Sequence, residues 1–481
     1  MTDLEKILEK VARMETPTPA DIEAVLKLTE RLRANVEEEV KKQRVEAESR
    51  VEGSIAKDTW LRSDKDADIF LLFPPDLEKE DLAALGLQVA KNSVREYGWV
   101  ERYAEHPYLE TRIGDLRVNI VPCYKVEAGQ WRSATDRTPY HTDYIKARLR
   151  SSEQKKSVRL LKRFMKGIGV YGADIKTGGF SGYLTELLIL HFGDFTTTLK
   201  AVSGWREGEL IDLEGHYAGR VEDVRKLFED PLIVIDPVDR RRNVASAVRR
   251  ECFDRFRVAS KYLLKDPDLT FFYPPPPRPL TSDRLLRRLT DGGSDLLFVI
   301  LENIEAVPDI LWGQLYKTLR ALGGLLKQHD FKLMRSAVWS DEQRYSILIF
   351  ELESSCLGRL KKHLGPPVLT WEEEKFLEKY TASGVTVAGP WVEMGRWVAL
   401  IERKFPEATA LLAHGLADGG EVIGVPSRVS KAVKRGVEIL KNSEIAGFYG
   451  RGTEFNGFLT RFLEGRPEWL ERPNTTEGSS N

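Results

Sequence analysis

The sequence lacks the features that mark an exported, membrane-spanning or metal-stapled protein. Its 481 residues include only three cysteines, and these lie far apart, so neither a disulfide framework nor a CxxC-type zinc site is indicated. The most apolar runs, Leu184 to Phe192 and Leu296 to Leu301, are too short to span a bilayer. The opening MTDLEKILEKV has neither the basic nor the apolar part of an export signal. We therefore expect a cytoplasmic protein with no membrane segment and no structural metal.

An excess of one charge sign is also missing. Lys and Arg number 73 against 74 Asp and Glu, a net charge of -1, which excludes a histone-like polycation. A folded protein of balanced charge can still gather its basic residues on one face. The length exceeds what a single hydrophobic core supports, and it indicates about two to four domains.

Hydrophobic periodicity predicts a small α/β domain in the first third of the chain. Apolar residues recur at helical spacing in two segments, and alternation of period two predicts strands in four others. The predicted helices cover 20–44 and 79–97, and the predicted strands cover 45–55, 67–73, 100–103 and 116–122. A Gly-Ser turn and a polar segment connect the first two strands. This order predicts a domain that ends near residue 145.

The rest of the chain divides at proline-rich segments. A basic helix over 152–167 and further helices over 183–191 and 244–264 predict a mainly helical second unit. The segment YPPPPRP at 273–279 cannot continue a helix or an interior strand, so it predicts a stiff connector. Beyond it, the pattern predicts a sheet-and-helix module with strands at 296–301, 331–339 and 346–352 and a helix at 309–328. The final segment PNTTEGSSN is of low complexity, and we expect it to be disordered.

The pair Asp66 and Asp68 carries the strongest chemical signal. The two acids are two residues apart at the start of an apolar strand, so both side chains are expected on one face. Two carboxylates held this close repel each other unless a cation lies between them, and oxygen ligands suit Mg²⁺. Upstream, Gly53-Ser54 and Lys57 offer backbone amides, a hydroxyl and an ammonium for a triphosphate. An Asp pair alone is common in loops, but the combination of GS, eleven residues and DxD before an apolar strand is rare.

This combination resembles the polymerase-beta-type nucleotidyltransferases, and the chain as a whole resembles the archaeal, class I CCA-adding enzymes. The resemblance covers most of the length, and its segments occur in the same order. The matching segments are GSIAKDTWLRSDKDADIFLLFP, RYAEHPY, NIVPCYKV, SATDRTPYHTDY, LLKRFMKGIGVYGADIKTGGFSGYLTELL, DPVDRRRNVASAV, PDILWGQLYKTLRAL, LMRSAVW and ERKF. Bacterial-type CCA enzymes and poly(A) polymerases share only the catalytic strand pattern, so these segments argue against them.

The resemblance implies roles for individual residues. It assigns Asp66 and Asp68 to metal ions, and Ser54 and Lys57 to the incoming nucleotide, where the family more often has Arg at the second position. It also assigns nucleotide contacts to four further residues: His141, Lys162, Tyr171 and, at the base or the phosphates, Arg242. Taken alone, each of these four has a blander explanation as a solvated, satisfied or core side chain.

One position departs from the family. The third catalytic carboxylate is expected in the strand before VPCY, where this chain has Asn119. Asn keeps the shape and one acceptor oxygen but loses the charge and the basicity. Three explanations are open: a deliberately inactivated variant, a natural slow or non-catalytic paralogue that binds tRNA, or compensation by Asp64. We favour the first, because every other segment around the site matches.

The resemblance also implies an architecture, a multi-domain α+β fold. Its expected parts are a polymerase-beta-like catalytic head, a helical neck that binds nucleotide and RNA, a linker, a ferredoxin- or RRM-like body that binds tRNA, and a tail. Their expected boundaries are 1–145, 146–272, 273–283, 284–365 and 366–440, with 441–481 returning to the body and a disordered end.

The implied activity is addition of C, C and A to the tRNA 3′ end. The implied partners are the acceptor end of tRNA, CTP and ATP, with Mg²⁺ as cofactor, two-metal nucleotidyl transfer as mechanism, and no nucleic-acid template. A homodimer is left open. Two alternatives remain: a tRNA-binding paralogue without turnover, and an oligoadenylate-synthase-like enzyme that uses ATP alone. The cluster Arg284, Arg287 and Arg288 is a candidate set of RNA phosphate contacts or an ordinary solvated helix face.

Overall fold

The computed structural model describes residues 2–103, 106–450 and 452–470. The chain forms two compact units, unit 1 (1–276 with 466–481) and unit 2 (277–465), and the division falls inside the proline-rich segment. Two residues of the RYAEHPY segment, and the C-terminal segment expected to be disordered, lie outside the described residues. Within the described ranges, no helix combines the length and the apolar character needed to cross a membrane.

Unit 1 contains two sheets, each with helices packed against it. Its helices are α1 Asp3–Glu15, α2 Pro19–Lys42, α3 Gly53–Lys57, α4 Lys79–Ser93, α5 Thr138–Arg148, α6 Ser152–Gly167, α7 Gly182–Phe192, α8 Phe195–Gly204, α9 Val221–Leu227 and α10 Arg250–Lys265. Its strands are β1 Glu48–Glu52, β2 Lys65–Phe73, β3 Trp99–Tyr103, β4 Pro107–Ile113, β5 Leu116–Tyr124, β6 Glu209–Ile211, β7 Leu232–Asp236 and β8 Asp239–Asn243.

The first five strands form the head sheet, in the order β1-β2-β5-β4-β3. Strands β2 and β5 are parallel, and the other neighbours are antiparallel. Helix α2 begins with a capping box between Thr18 and Asp21, which satisfies two amides that the first helical turn leaves free. Helices α2 and α4 pack on one face of this sheet through Leu32, Leu82 and the alternate apolar residues of β2. The other face therefore carries the remaining half of each strand.

That second face is divided along the strands into an apolar end and a polar end. Phe70, Leu72, Val121 and Cys123 form a small buried cluster toward the carboxyl ends of β2 and β5. The acids that open β2 lie at the other end of the same face, because they alternate with the core residues. The polar end of this face is where the sheet can present chemistry.

The neck that follows is built around a large core of α6, α7, α8 and α10. Phe164, Phe253 and Phe256 are fully buried there, and they contact further aromatic rings of the same core. The neck also contains a three-stranded sheet in the order β6-β7-β8. The sequence predicted a mainly helical unit and missed these three strands, which are short and packed against helices.

Unit 2 has its own core and two further sheets. Its helices are α11 Ser282–Thr290, α12 Pro308–Gln328, α13 Glu373–Thr381, α14 Ala408–Leu416, α15 Ser427–Arg435, α16 Ala446–Tyr449 and α17 Thr453–Glu464. Its strands are β9 Asp295–Glu302, β10 Leu333–Ser340, β11 Tyr345–Leu352, β12 Leu360–Pro367, β13 Thr386–Glu393, β14 Arg396–Glu402 and β15 Glu438–Lys441.

The larger sheet of unit 2 has the strand order of a ferredoxin-like fold. The strands β15, β9, β11 and β10 are neighbours in that order, all antiparallel, and α12 connects β9 to β10. The smaller sheet, β12-β14-β13, packs against α13 through Phe376 and Tyr380. The predicted multi-domain α+β class is therefore confirmed, whereas the exact domain boundaries stay a prediction.

Several predicted elements begin or end elsewhere in the structure. The strand predicted over 45–55 ends at Glu52, because the expected Gly-Ser turn is the first turn of helix α3. The helix predicted over 244–264 begins only at Arg250, and the helix predicted over 79–97 ends at Ser93. Strand β4 was not predicted at all. For the three elements that were predicted, the apolar periodicity located the element and local backbone geometry set its end.

Candidate active site

A row of polar side chains crosses the polar end of the head sheet. Asp66 and Asp68 share this face of β2, and both are half-buried. Strand register places Arg117 of β5 directly beside Asp66, and Asn119 of β5 directly beside Asp68. On the other side of β2, Glu52 of β1 is the register partner of Asp68. Residues that pair directly across neighbouring strands point to the same face, so all five belong to one surface.

The two acids have different partners within this row. Arg117 grips Asp66 at two points, Nε to Oδ1 at 2.7 Å and Nη2 to Oδ2 at 2.5 Å. Asn119 Nδ2 donates to Asp68 Oδ1 at 2.9 Å. Burial raises the pKa of Asp68, the hydrogen bond from Asn119 opposes the rise, and the negative charge of Asp66 adds to it. The hydrogen bonds to Asp66 raise the pKa of Arg117 above its ordinary value, so this guanidinium stays charged.

Gly53 brings the chain close to Asp68. It has a φ of +72°, and a Cβ at this position would lie 2.0 Å from Asp68 Oδ2. Only glycine allows both this backbone conformation and this approach. The amide end of α3, with Ser54 in its first turn, is thereby held over the acids of β2.

Glu52, the acid that pairs with Asp68 across β1 and β2, is fully buried. Arg50 Nε lies 2.8 Å from Glu52 Oε1. Burial raises the pKa of Glu52, and Thr142 and Arg50 only partly offset this effect. Sequence reasoning missed this residue, which lies directly before the Gly-Ser pair.

Glu186 organises the first of two buried charge clusters next to the row. Its carboxylate accepts from Lys57 Nζ at 2.6 Å, from Thr59 Oγ1 at 2.5 Å and from Lys162 Nζ at 3.5 Å. Lys162 also donates to the Thr59 carbonyl at 3.0 Å. Burial lowers the pKa of Lys162 to about 8, although Glu186 opposes this effect. For Glu186 itself, burial raises the pKa but the two lysines outweigh it, so its pKa is lowered.

Asp236 organises the second cluster. It lies at the end of β7 with no exposed surface, and it contacts His141 Nε2 at 2.9 Å, Arg242 Nη1 at 2.8 Å and Tyr183 Oη at 3.2 Å. The rings of His141 and Tyr183 stack with centroids 4.0 Å apart. Burial lowers the pKa of His141 despite the hydrogen bond to Asp236. The pKa of Asp236 is lowered, because His141 and Arg242 outweigh the opposite effect of burial.

Tyr171 faces the first cluster. A Cβ on Gly182 would lie 3.0 Å from Tyr171 Oη and 3.8 Å from Lys162 Nζ, so both groups converge on the start of α7. Burial raises the pKa of Tyr171, and its hydroxyl therefore stays protonated. Lys166 Nζ lies 4.8 Å from the centre of the Tyr171 ring and 2.6 Å from Asp64 Oδ2.

The structure thus brings the nucleotide-contact candidates together in two groups. Lys57 and Lys162 share Glu186, whereas His141 and Arg242 share Asp236. Helix α7 joins the groups, since it carries both Glu186 and Tyr183. The organising acids were missed from the sequence, although each left a signal: a lone Glu inside the apolar run LTELLILHF, and an Asp that ends the apolar strand LIVID.

The oxygen atoms of the row fit a divalent cation. Asn119 Oδ1 is buried and accepts no hydrogen bond from the described residues, so it is an orphaned acceptor beside Asp68. With the carboxylates of Asp66 and Asp68 it supplies the oxygen-only donors that Mg²⁺ prefers. Among the described residues, no three His, Cys, Asp or Glu side chains are arranged around a metal position, which agrees with a donor set of two carboxylates and one amide.

The five-stranded sheet, its paired acids and the glycine turn above them define a nucleotidyltransferase domain. Family profiles agree with this class. The profile described as "Nucleotidyltransferase domain" matches residues 33–141, "tRNA nucleotidyltransferase, second domain" matches 156–273, and "CCA-adding enzyme, C-terminal domain" matches 292–442.

Curated relatives indicate the family within this class. The CCA-adding enzyme of Methanosarcina barkeri is 41% identical over 82% of this chain and 84% of the relative. The CCA-adding enzyme of Methanosarcina acetivorans is 36% identical over 95% of this chain and 97% of the relative. That of Saccharolobus solfataricus is 33% identical over 97% of this chain and 100% of the relative. The chain belongs to the CCA-adding enzyme family, and the resemblance to its archaeal members is confirmed. A more distant likeness, to E. coli MS115-1 CdnC with ATP, has a TM-score of 0.42 at 20% identity over 56% of this chain and 94% of that one.

Proposed function

We propose that this protein adds C, C and A to the 3′ end of tRNA from CTP and ATP without a nucleic-acid template. The observation that carries the proposal is the row of Asp66, Asp68 and Asn119 beneath Gly53, flanked by two clusters that together hold four cationic or imidazole groups. Its curated relatives are named for this activity. A site with oxygen donors at one edge and cations at the other is complementary to a metal-bound triphosphate.

In this proposal Asp66 and Asp68 hold Mg²⁺, with the orphaned oxygen of Asn119 as a neutral third donor. When bound, the metal supplies charge neutralisation at the triphosphate and activation of the primer hydroxyl. Gly53 and Ser54 lie at the amide end of α3, where backbone N–H groups without a partner inside the helix can donate to a phosphate. Asn119 adds no basicity, so we expect the metal-bound nucleotide to be held better than the attacking hydroxyl is activated.

The two buried clusters bind the nucleotide. Lys57 and Lys162 together carry two positive charges against the single negative charge of Glu186, which leaves one charge for the phosphates. The protonated hydroxyl of Tyr171 is a donor beside Lys162. Arg242 is half-exposed and fixed at one nitrogen by Asp236, so its other donors are free to meet a base or a phosphate.

The acceptor end of tRNA is the proposed second substrate. In unit 2, Arg284, Arg287 and Arg288 of α11 line one open pocket together with Asp291 and Gly292. These side chains offer donors for RNA phosphates, which fix an A-form helix by shape and charge rather than by base sequence. The homodimer and the cytoplasmic location stay predictions.

Asn119 favours a second candidate, a tRNA-binding protein without turnover. With Asn119 in place of the third carboxylate, the group that β5 places beside Asp68 is neutral and not basic. This candidate predicts tRNA binding of ordinary strength together with no incorporation of CTP.

Incorporation of labelled CTP into tRNA that lacks its terminal CCA tests the proposal. We expect incorporation by the full chain, and its loss in Asp66→Asn and Asp68→Asn. Asp115→Asn is the matched control, since Asp115 is an exposed acid in the turn between β4 and β5 and pairs with Lys65. Tight tRNA binding with no incorporation by the unaltered chain would support the second candidate. ATP-only polymer formation without tRNA would instead support an oligoadenylate-synthase-like enzyme.

A further inference from the structure

Arg117 binds the carboxylate of Asp66, which the proposed function assigns to the metal. Its two donors reach both oxygens of Asp66, at 2.7 and 2.5 Å, and strand register fixes the pair directly opposite each other on β5 and β2. The side chains of Arg117 and Asp66 are 39% and 26% exposed, so the pair lies at the rim and is open to exchange.

A two-point guanidinium contact takes one lone pair on each carboxylate oxygen, and it places a positive charge beside any divalent cation that binds the same group. The planar fork of arginine matches both carboxylate oxygens, which makes this the strongest common ion-pair geometry. A cation that binds Asp66 through these lone pairs displaces at least one of the two donors, and a cation on the remaining lone pairs is repelled by the guanidinium. The competition is specific to Asp66, because Asp68 accepts from the neutral amide of Asn119.

We propose that Arg117 is an internal competitor for the metal site, which holds Asp66 until a divalent cation displaces it. Asp66 is thereby neutralised in the metal-free protein, and the cost of displacing Arg117 keeps the affinity for free metal low. This inference rests on the proposed function, since it takes Asp66 as a metal ligand.

The displaced guanidinium has other negative groups within reach. Asp64 and Glu110 both act on Arg117 electrostatically, and Glu110 is the register partner of Asn119 on β4. Both acids already have a cationic partner, Lys166 at 2.6 Å from Asp64 and Arg102 at 3.1 Å from Glu110. A triphosphate that arrives with the metal is the less compensated anion, so Arg117 couples the binding of metal to the binding of nucleotide.

Titration of the full chain with Mn²⁺, followed by the electron paramagnetic resonance signal of the free ion, tests the inference without any turnover. Arg117→Met is expected to tighten Mn²⁺ binding about tenfold, the factor expected for losing a partly exposed two-point ion pair. A variant that merely damaged the site would bind the ion more weakly, so tighter binding separates competition from a structural role. Arg117→Lys keeps the charge without the fork and is expected to fall between the two.

Arg112→Met is the matched control. Arg112 is exposed and is the register partner of Arg117 on β4, so its replacement by Met removes the same charge from the same face. We expect it to change the Mn²⁺ affinity less than about twofold, since it makes no contact that competes for Asp66. Equal tightening by both variants would show a general charge effect and overturn the inference.

Asp66→Asn distinguishes a failure of the proposed metal site from a failure of the inference about Arg117. If this variant binds Mn²⁺ as the unaltered chain does, Asp66 is no metal ligand and the metal assignment of the proposed function fails with the inference. If it loses binding while Arg117→Met and Arg117→Lys leave the affinity unchanged or weaker, the inference alone fails. Should Arg117→Met not fold, Arg117→Lys decides the question by the same criterion.

Discussion

Replacing Asn119 by Asp restores the carboxylate that the family pattern expects, and it should have opposite effects with and without metal. In the metal-free protein, the substitution removes the 2.9 Å hydrogen bond to Asp68 Oδ1 and puts a second carboxylate in its place. A hydrogen bond to a charged group contributes about 1.5–3 kcal/mol when it is well formed. We expect Asn119→Asp to lower the stability of unit 1 by about 2 kcal/mol at pH 8, or roughly 3 °C in its midpoint of thermal unfolding.

The pH dependence of this loss follows from the direction of the pKa shift. Burial already raises the pKa of Asp68, and a second carboxylate beside it raises the pKa of the pair further. An acid whose folded pKa lies above its unfolded pKa contributes stability at low pH that is lost as the pH rises through the folded value. The difference in midpoint between Asn119→Asp and the unaltered chain should therefore shrink as the pH falls from about 8 toward about 5.

In the presence of a divalent metal, Asn119→Asp should stabilise unit 1 instead of destabilising it. A cation between the carboxylates removes their repulsion and stabilises the folded state in proportion to its binding. Calorimetry with and without Mg²⁺ measures this, and CTP incorporation into tRNA lacking CCA measures the functional effect. We expect Asn119→Asp to raise the rate of incorporation by at least about tenfold, because a charged and basic group returns to the site. An unchanged midpoint in the absence of metal, or a rate that does not rise, would refute the role given to this position.

Two further predictions concern the buried lysines. Glu186→Gln leaves Lys57 and Lys162 without their shared counter-ion, so it should destabilise unit 1 by about 3 kcal/mol, seen as a lower calorimetric midpoint, whereas the exposed control Glu153→Gln should not shift it. An equal midpoint for Glu186→Gln would contradict the ion-pair assignment. Because the pKa of Lys162 is lowered to about 8, its charge is present below that pH and lost above it, so kcat/KM for CTP should fall above about pH 8. Lys162→Arg should move this alkaline limb upward, and an unmoved limb would assign it to another group.

Periodicity and local spacing predicted much of the frame from the sequence. The helix over 152–167 and the strand that begins near Asp66 follow directly from where apolar residues recur. The strand over 107–113 was missed because it begins with Pro107 and has polar residues on both faces, so apolar and polar residues do not alternate clearly. The three short strands of the neck show no period of two either, since β6 has three residues, every residue of β7 is buried, and β8 consists of polar residues.

The sequence indicated only some of the residues of the candidate site. The sequence pointed to Lys57, Lys162, His141 and Arg242, but not to the acids that hold them. Glu186 follows Lys57 by 129 residues, and Asp236 follows His141 by 95. No local pattern joins partners so far apart.

The sequence by itself determined many of the helices and strands, the paired acids on one face of β2 and the family. A period of two or of 3.6 residues, and a motif of fixed spacing, are properties of neighbours along the chain. Only the tertiary structure decided which charges meet: Arg117 on Asp66, Asn119 on Asp68, and Glu186 between two lysines. The physical reason is that ion pairs and hydrogen bonds act over a few ångströms of space, and strand register and helix packing alone bring distant residues within that range.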